Sequence, residues 1–117
     1  MIRRAADLLA ANGYADIRAD LPAMDRPASI SWSSTGLSPV GEIVPDVTGA
    51  RNGLPAVFEV ETGDSIFHRH TAEEWTLFSK YAEKTRARFT VVVPMGSRQA
   101  AERRLKDLRL KAEVWEL

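Results

Sequence analysis

Three acidic residues lie at a spacing that suits metal-assisted phosphate chemistry. Residues 42–63 read as two β-strands around a short turn, with Asp46 in the middle of the first strand and Glu59 and Glu61 near the end of the second. Side chains alternate between the faces of a strand, so Glu59 and Glu61 share one face. If Asp46 reaches that face, three carboxylates converge, and a hard divalent cation is their natural compensation. The pattern predicts metal-assisted attack on a phosphate.

A plainer interpretation of these residues stays open. Glutamates at alternate positions also decorate the solvent face of an antiparallel strand, and a Glu-x-Glu spacing occurs by chance in many proteins. The joint occurrence favours a functional site, because Pro45-Asp46, a hairpin and Glu59-Val60-Glu61 are followed by a helix that carries Trp75.

The elements before the acids follow from periodicity and turn residues. A first helix is predicted over Ile2–Ala11, with Gly13 placed to end it, and a strand over Ala15–Ala19. Residues 20–41 are rich in Ser and Pro and form either a functional loop or a loop that hides a short strand at residues 29–33. Asn-Gly within residues 51–53 is a hairpin signal, so the two flanking strands should pair antiparallel.

The second half of the chain predicts two helices and two strands. Thr71 and Glu74 form a capping-box pattern at the start of a helix. The apolar stripe of that helix is Trp75, Phe78, Tyr81 and Ala82, which favours a core role over base stacking. A buried strand over Arg88–Val93 follows, then a helix capped by Ser97, and an edge strand at residues 111–117. The inward residues of the last helix are Ala101, Leu105 and Leu108.

Composition sets broader bounds. A chain of 117 residues suits one domain, residues 1–117, and its 44% hydrophobic and 27% charged residues are typical of a soluble protein. No apolar run is long enough to span a bilayer, and the absence of cysteine excludes thiolate metal sites and disulfides, so we expect a cytoplasmic protein without a membrane partner. Sixteen basic residues balance sixteen acidic ones, which gives no global attraction to nucleic acid.

Two further groups of residues are candidates for contacts with nucleic acid. Thr62 and His70 lie where the second strand leads into the helix, and His68-x-His70 is either a surface loop, a substrate contact or a transition-metal pair. The last predicted helix is rich in basic residues, which either contact phosphates or form a solvated face balanced by Glu102 and Asp107. These basic residues are Arg98, Arg103, Arg104, Lys106 and Arg109.

The order of elements and the acidic motif together resemble the PD-(D/E)XK nuclease superfamily, which has the restriction-endonuclease-like fold. The resemblance covers about residues 2–93. Within the superfamily, the chain looks most like the small Holliday-junction-resolvase-like proteins. The resemblance implies an α/β fold with a mixed central sheet and an αβββαβ core, followed here by a helix and a strand. It also implies Mg²⁺ or Mn²⁺ as cofactor, DNA as partner, and a homodimer as an assembly the chain can form.

The resemblance assigns roles to two of the acids, and the chain departs from the motif at a third position. Asp46 matches the metal-binding aspartate of the motif, and Glu59 matches the second ligand. Glu61 stands where the motif has a lysine that orients water and stabilises developing charge. In this chain Glu61 would instead hold a second metal ion or act as a general base. Lys80 and Asp7 both fall away from the apolar stripes of their helices, so neither is expected to complete the site.

The sequence therefore predicts a metal-dependent nuclease that hydrolyses DNA through Asp46, Glu59 and Glu61. Two alternatives from other classes stay open. One is a catalytically inactive module of the same fold that binds nucleic acid or a protein partner. In that case Glu61 in place of the motif lysine indicates that catalysis has been lost. The other is a structural subunit whose last strand pairs with its own copy.

Overall fold

A computed structural model describes residues 1–35 and 41–117 of the chain. The helices are α1 (Ile2–Ala11), α2 (Trp32–Thr35), α3 (Arg69–Thr85) and α4 (Arg98–Asp107), with a 3₁₀ turn at Ser65–Phe67. The strands are β1 (Ala15–Ala19), β2 (Ile30–Ser31), β3 (Glu42–Ile43), β4 (Val47–Arg51), β5 (Leu54–Val60), β6 (Arg88–Val93) and β7 (Glu113–Glu116).

A mixed five-stranded sheet in the order β1-β4-β5-β6-β7 is the framework of the molecule. Strands β1, β4 and β5 pair antiparallel, whereas β5, β6 and β7 pair parallel. Together with the three long helices of the described residues, this sheet confirms the predicted α/β class and the mixed sheet. The last strand lies at an edge, as predicted.

The β4–β5 hairpin forms because its turn residues accept a left-handed backbone. Asn52 and Gly53 have φ angles of 54° and 78°, and Arg51 pairs with Leu54 across the turn. Two consecutive positive φ angles are the signature of the type I′ turn, whose twist matches that of the flanking strands. The antiparallel hairpin predicted from Asn-Gly is confirmed.

Side-chain alternation along β5 divides the interior into two cores. Val57 packs on the face covered by α3 and α4, where it joins Trp75, whereas Phe58 packs on the opposite face against Leu9 of α1. Glu59 and Glu61 have the same parity as Val57. The sheet therefore directs both glutamates to the face covered by α3.

Two local predictions were wrong, and a third is confirmed in its position but not in its hydrogen bond. Asp46 lies just before β4 and not in the middle of a strand, because β3 pairs with β2 in a separate two-stranded sheet. Thr71 and Glu74 form no capping box, since α3 begins at Arg69 and the Thr71 hydroxyl donates to the Ser65 carbonyl at 2.6 Å. Ser97 holds the N-cap position of α4, but its side chain makes no capping hydrogen bond.

The long segment between β1 and β4 contains a short strand, which confirms one of the two alternatives predicted for it. Strand β2 lies within the expected residues 29–33, and α2 follows it directly. Residues 36–40 of this segment lie outside the described residues. Among residues 1–35 and 41–117, no helix has the length and apolar character needed to cross a membrane.

Candidate active site

Asp46 and Glu59 face each other at the open end of the β4–β5 hairpin. Val47 pairs with Phe58, so the next step along the antiparallel register sets Asp46 opposite Glu59. The Asp46 N–H donates to Glu59 Oε1 at 2.9 Å, and the Val60 N–H donates to Asp46 Oδ2 at 2.8 Å. One oxygen of each carboxylate is thereby fixed by a backbone N–H of the same hairpin.

Glu61 continues the line of β5 beyond its last residue. Its N–H donates to the Val92 carbonyl at 2.9 Å, which extends the pairing with β6. Its Oε1 accepts a hydrogen bond of 2.9 Å from the Ser65 hydroxyl. Ser65 is itself held by Thr62, whose Oγ1 accepts the Ser65 N–H at 3.0 Å. The 3₁₀ turn thus fixes the orientation of the Glu61 carboxylate.

A fourth acid, Glu74, approaches the site from α3. Its charge raises the pKa of Glu59 and of Glu61, and the charge of Asp46 raises the pKa of Glu74. We call Asp46, Glu59, Glu61 and Glu74 the acidic cluster. The sequence pattern indicated Glu74 only as a capping residue. Its spacing of four residues to the buried Phe78 was a signal that it faces the sheet.

Burial is the first cause of the shifted pKa values in the cluster. It raises the pKa of Glu59 well above the ordinary value, with the charges of Asp46 and Glu74 adding to the effect. Burial also raises the pKa of Glu61 to about 7, against the opposing hydrogen bond from Ser65. The pKa of Asp46 and that of Glu74 are raised for the same reason. The cluster therefore holds protons that isolated carboxyl groups release.

Basic side chains do not compensate this charge. Over the part of the chain that the structure describes, no Lys or Arg forms an ion pair with any member of the cluster. Lys80 pairs with Glu83 at 3.6 Å and with none of the four acids. His70 lies 3.6 Å from Glu74 and is the one nearby imidazole in those residues.

Two further groups surround the cluster. Asp20 adds negative charge near Asp46, although its carboxylate is paired with Arg26 at 3.6 Å. Trp75 is fully buried, and its indole N–H has no hydrogen-bond partner within the described residues. It lies close enough to Glu61 to lower the pKa of that carboxyl. The Trp75 indole N–H therefore faces Glu61 from α3, beyond the distance or angle of a regular hydrogen bond.

The donor set of the cluster suits a hard cation. Carboxylate oxygens are the ligands that Mg²⁺ and Mn²⁺ prefer, and a buried cluster of carboxylates is stabilised by such an ion. As the side chains stand, no group of three or more His, Cys, Asp or Glu residues in the described ranges is arranged to hold a metal. Metal binding by Asp46, Glu59 and Glu61 stays a prediction.

The residues predicted to contact nucleic acid lie on two surfaces. Thr62 and His70 are exposed near the acidic cluster. Four of the five basic candidates are on α4, where Arg98 is engaged by Glu102 at 3.5 Å and by Glu116 at 3.1 Å. Arg109 lies beyond the last residue of α4 and not in the helix as predicted. Arg103 and Lys106 are exposed. Asp7 is on the far side of the sheet in α1, paired with Arg3, and takes no part.

Comparison of the chain with models of protein families, with curated proteins and with solved structures finds no significant match.

Proposed function

We propose that the chain is a metal-dependent nuclease that hydrolyses phosphodiester bonds of DNA at the acidic cluster. The observation that carries the proposal is the convergence of four carboxylates on the α3 face with no Lys or Arg paired to them in the described chain. A protein interior accommodates such a cluster at a cost in stability, which a bound cation offsets.

The residues divide into ligands and a base. Asp46 and Glu59, opposite each other on the hairpin, would hold Mg²⁺ or Mn²⁺. When bound, the ion polarises the phosphate and lowers the pKa of water. Glu61 lies beside these two acids and is suited to accept a proton from the attacking water, because a bound cation would lower its pKa from about 7 and leave the carboxylate ionised. The order of elements and the hairpin position of the acids support kinship with the PD-(D/E)XK superfamily.

A second candidate is a non-catalytic module of the same fold. Two observations favour it: Glu61 replaces the motif lysine, and one oxygen of Asp46 and one of Glu59 already accept backbone hydrogen bonds. In that case Asp46 and Glu59 mainly hold the two strands together at the open end of the hairpin. The protein surface then binds nucleic acid or a protein partner without cleavage.

Cleavage assays on branched, duplex and single-stranded DNA in Mg²⁺ or Mn²⁺ separate the two candidates. Asp46→Asn retains an acceptor for the Val60 N–H and removes the charge, so we expect a folded protein with cleavage at least about a hundredfold slower. Glu116→Gln, a change to an acid outside the cluster, should cleave like the wild type. No metal-dependent cleavage by the wild type, or equal cleavage by Asp46→Asn, would favour the non-catalytic module.

A further inference from the structure

A pocket of about 360 Å³ lies between the 3₁₀ turn and α4, outside the acidic cluster. We call it the α4 pocket, and its lining includes Phe67, Gly96, Gln99, Arg103, Arg104 and Asp107. It combines an aromatic ring with two guanidinium groups. These are the two kinds of group that bind a nucleotide, one for the base and one for the phosphate.

Phe67 is placed on the surface and not in the core. The residue is 62% exposed and is the one aromatic among the large exposed apolar residues of the described ranges. The turn that carries it is rigidly held, because the Phe67 N–H donates to the Asp64 carbonyl at 3.2 Å and Ile66 is fully buried. An aromatic ring that a fixed turn presents to solvent is available as a stacking surface.

Arg103 and Arg104 differ from the other arginine of the same helix. Arg98 is paired with two glutamates, whereas neither Arg103 nor Arg104 has an ion pair within 4 Å in the part of the chain that is described. Arg104 Nε is buried and lacks a hydrogen-bond partner. A buried donor without an acceptor is costly, and this nitrogen is free to donate to an anion that enters the pocket. Asp107 is the only acid of the lining, which leaves the pocket net positive.

The α4 pocket is connected to the acidic cluster through the 3₁₀ turn. Ser65 begins the turn and donates to Glu61, and Phe67 ends the turn and lines the pocket. One short segment therefore positions both a carboxylate of the cluster and the stacking ring. A strand that places a phosphate at the cluster can extend a neighbouring nucleotide into the pocket.

We propose that the α4 pocket binds an unpaired nucleotide of a single-stranded nucleic acid. Phe67 stacks on the base, and Arg103 and Arg104 contact the phosphate. A base must leave its duplex to stack on a side chain, which is why the ligand is a single strand. The inference rests on the proposed function for its substrate class and deepens it: the substrate has a single-stranded segment beside the cleaved bond.

The test measures binding without metal, so that it does not depend on catalysis. A labelled oligothymidylate of about 15 nucleotides, its oligouridylate counterpart and a duplex of equal length are titrated in EDTA and followed by fluorescence anisotropy. We expect single strands to bind at least about tenfold more tightly than the duplex, and the DNA and RNA arms to show which sugar is preferred. Phe67→Ala should weaken binding about tenfold, and Phe67→Trp should restore it.

Charge variants and matched controls complete the design. Arg103→Gln and Arg104→Gln should each weaken binding several-fold and lower the salt dependence by about one counterion. Leu54→Ala and Arg88→Gln change an exposed apolar and an exposed basic residue at the opposite end of β5 and β6, and should bind like the wild type. Thermal unfolding checks that every variant is folded.

The outcomes separate the inference from the proposed nuclease. No binding of single strands, a preference for the duplex, or wild-type affinity in Phe67→Ala would overturn the inference whatever the protein cleaves. Binding that depends on Phe67 in a protein without metal-dependent cleavage would support the pocket and reject the catalytic role of the acids.

Discussion

Two glutamates at the same end of the sheet have pKa values shifted in opposite directions. Glu61 follows β5 and Glu116 ends β7, so they flank the carboxyl end of β6, the strand between them. Burial and neighbouring acids raise the pKa of Glu61 to about 7. The pKa of Glu116 is lowered, first by the hydrogen bond of 2.8 Å from the Gly96 N–H and then by Arg98.

The difference comes from partners and not from residue type. Glu116 connects β7 to the start of α4 through a backbone donor and a guanidinium, which is a sufficient structural role for a surface acid. Glu61 has a hydroxyl donor and three acids as neighbours. A structural acid acquires compensation within the fold, whereas the acidic cluster has none from Lys or Arg of the described residues. Within the described residues the charge of the cluster is offset by bound protons, as its raised pKa values indicate, and the proposed metal ion would replace those protons.

Metal titration tests the difference between Glu61 and Glu116 most directly. Calorimetry with Mg²⁺ and Mn²⁺ should detect binding to the wild type, and Glu59→Gln should weaken it about a hundredfold, or about 3 kcal/mol. Glutamine keeps an acceptor for the Asp46 N–H, so the loss reports charge and not unfolding. Glu116→Gln is the matched control and should bind as the wild type does. Equal affinity in both variants would remove the distinction between the two acids.

Placing a positive charge in the cluster by substitution is the second test. Glu61→Lys removes one carboxylate and adds a positive charge beside Asp46, Glu59 and Glu74. We expect it to raise the free energy of unfolding by about 2 kcal/mol at pH 8, measured by urea denaturation. Glu61→Gln removes the repulsion without adding a cation and should give a smaller gain. A destabilised lysine variant beside a stabilised glutamine variant would show that space, and not charge, limits the site.

The fold and the acids were predictable to different extents. The hairpin followed from Asn52-Gly53, and the apolar stripe of α3 correctly placed Trp75 and Phe78 in the core, because turn conformation and periodicity are local properties. Strand alternation also placed Glu59 and Glu61 on one face. What these rules did not give was the break before β4, which depends on pairing between β2 and β3, elements more than ten residues apart.

The missed features of the site depend on contacts between distant segments. Glu74 fits a local capping pattern, and only the packing of α3 on the sheet shows that it joins the cluster. Phe67 reads as an ordinary apolar residue, and its exposure follows from how the 3₁₀ turn meets α4. The partners of Arg98 show the same limit: Glu102 follows from the spacing of four residues within α4, whereas Glu116 comes from β7 and is not indicated by the sequence of the helix.

The pH dependence of stability gives the smallest expected effect. It tests in solution whether the pKa of Glu61 is raised while that of Glu116 is lowered. A carboxyl whose folded pKa exceeds its unfolded pKa keeps its proton longer in the folded protein. The stability it contributes is therefore full below the unfolded pKa of 4.5 and is lost as the pH rises through the folded pKa of about 7 for Glu61. Without metal, the free energy of unfolding of the wild type should fall between pH 5 and pH 8.

The share of that fall due to Glu61 is measurable by substitution. The full shift corresponds to roughly 3 kcal/mol, and solvent near the cluster reduces it to between about 1 and 2 kcal/mol. Glu61→Gln should remove this share of the fall in urea denaturation curves, and saturating Mg²⁺ should flatten the wild-type profile because the ion favours the ionised carboxylates. Glu116→Gln should not flatten it, since the pKa of Glu116 is shifted in the other direction. A wild-type profile that rises over this range would mean that the cluster is ionised in the free protein, and that a compensating cation is already within the fold.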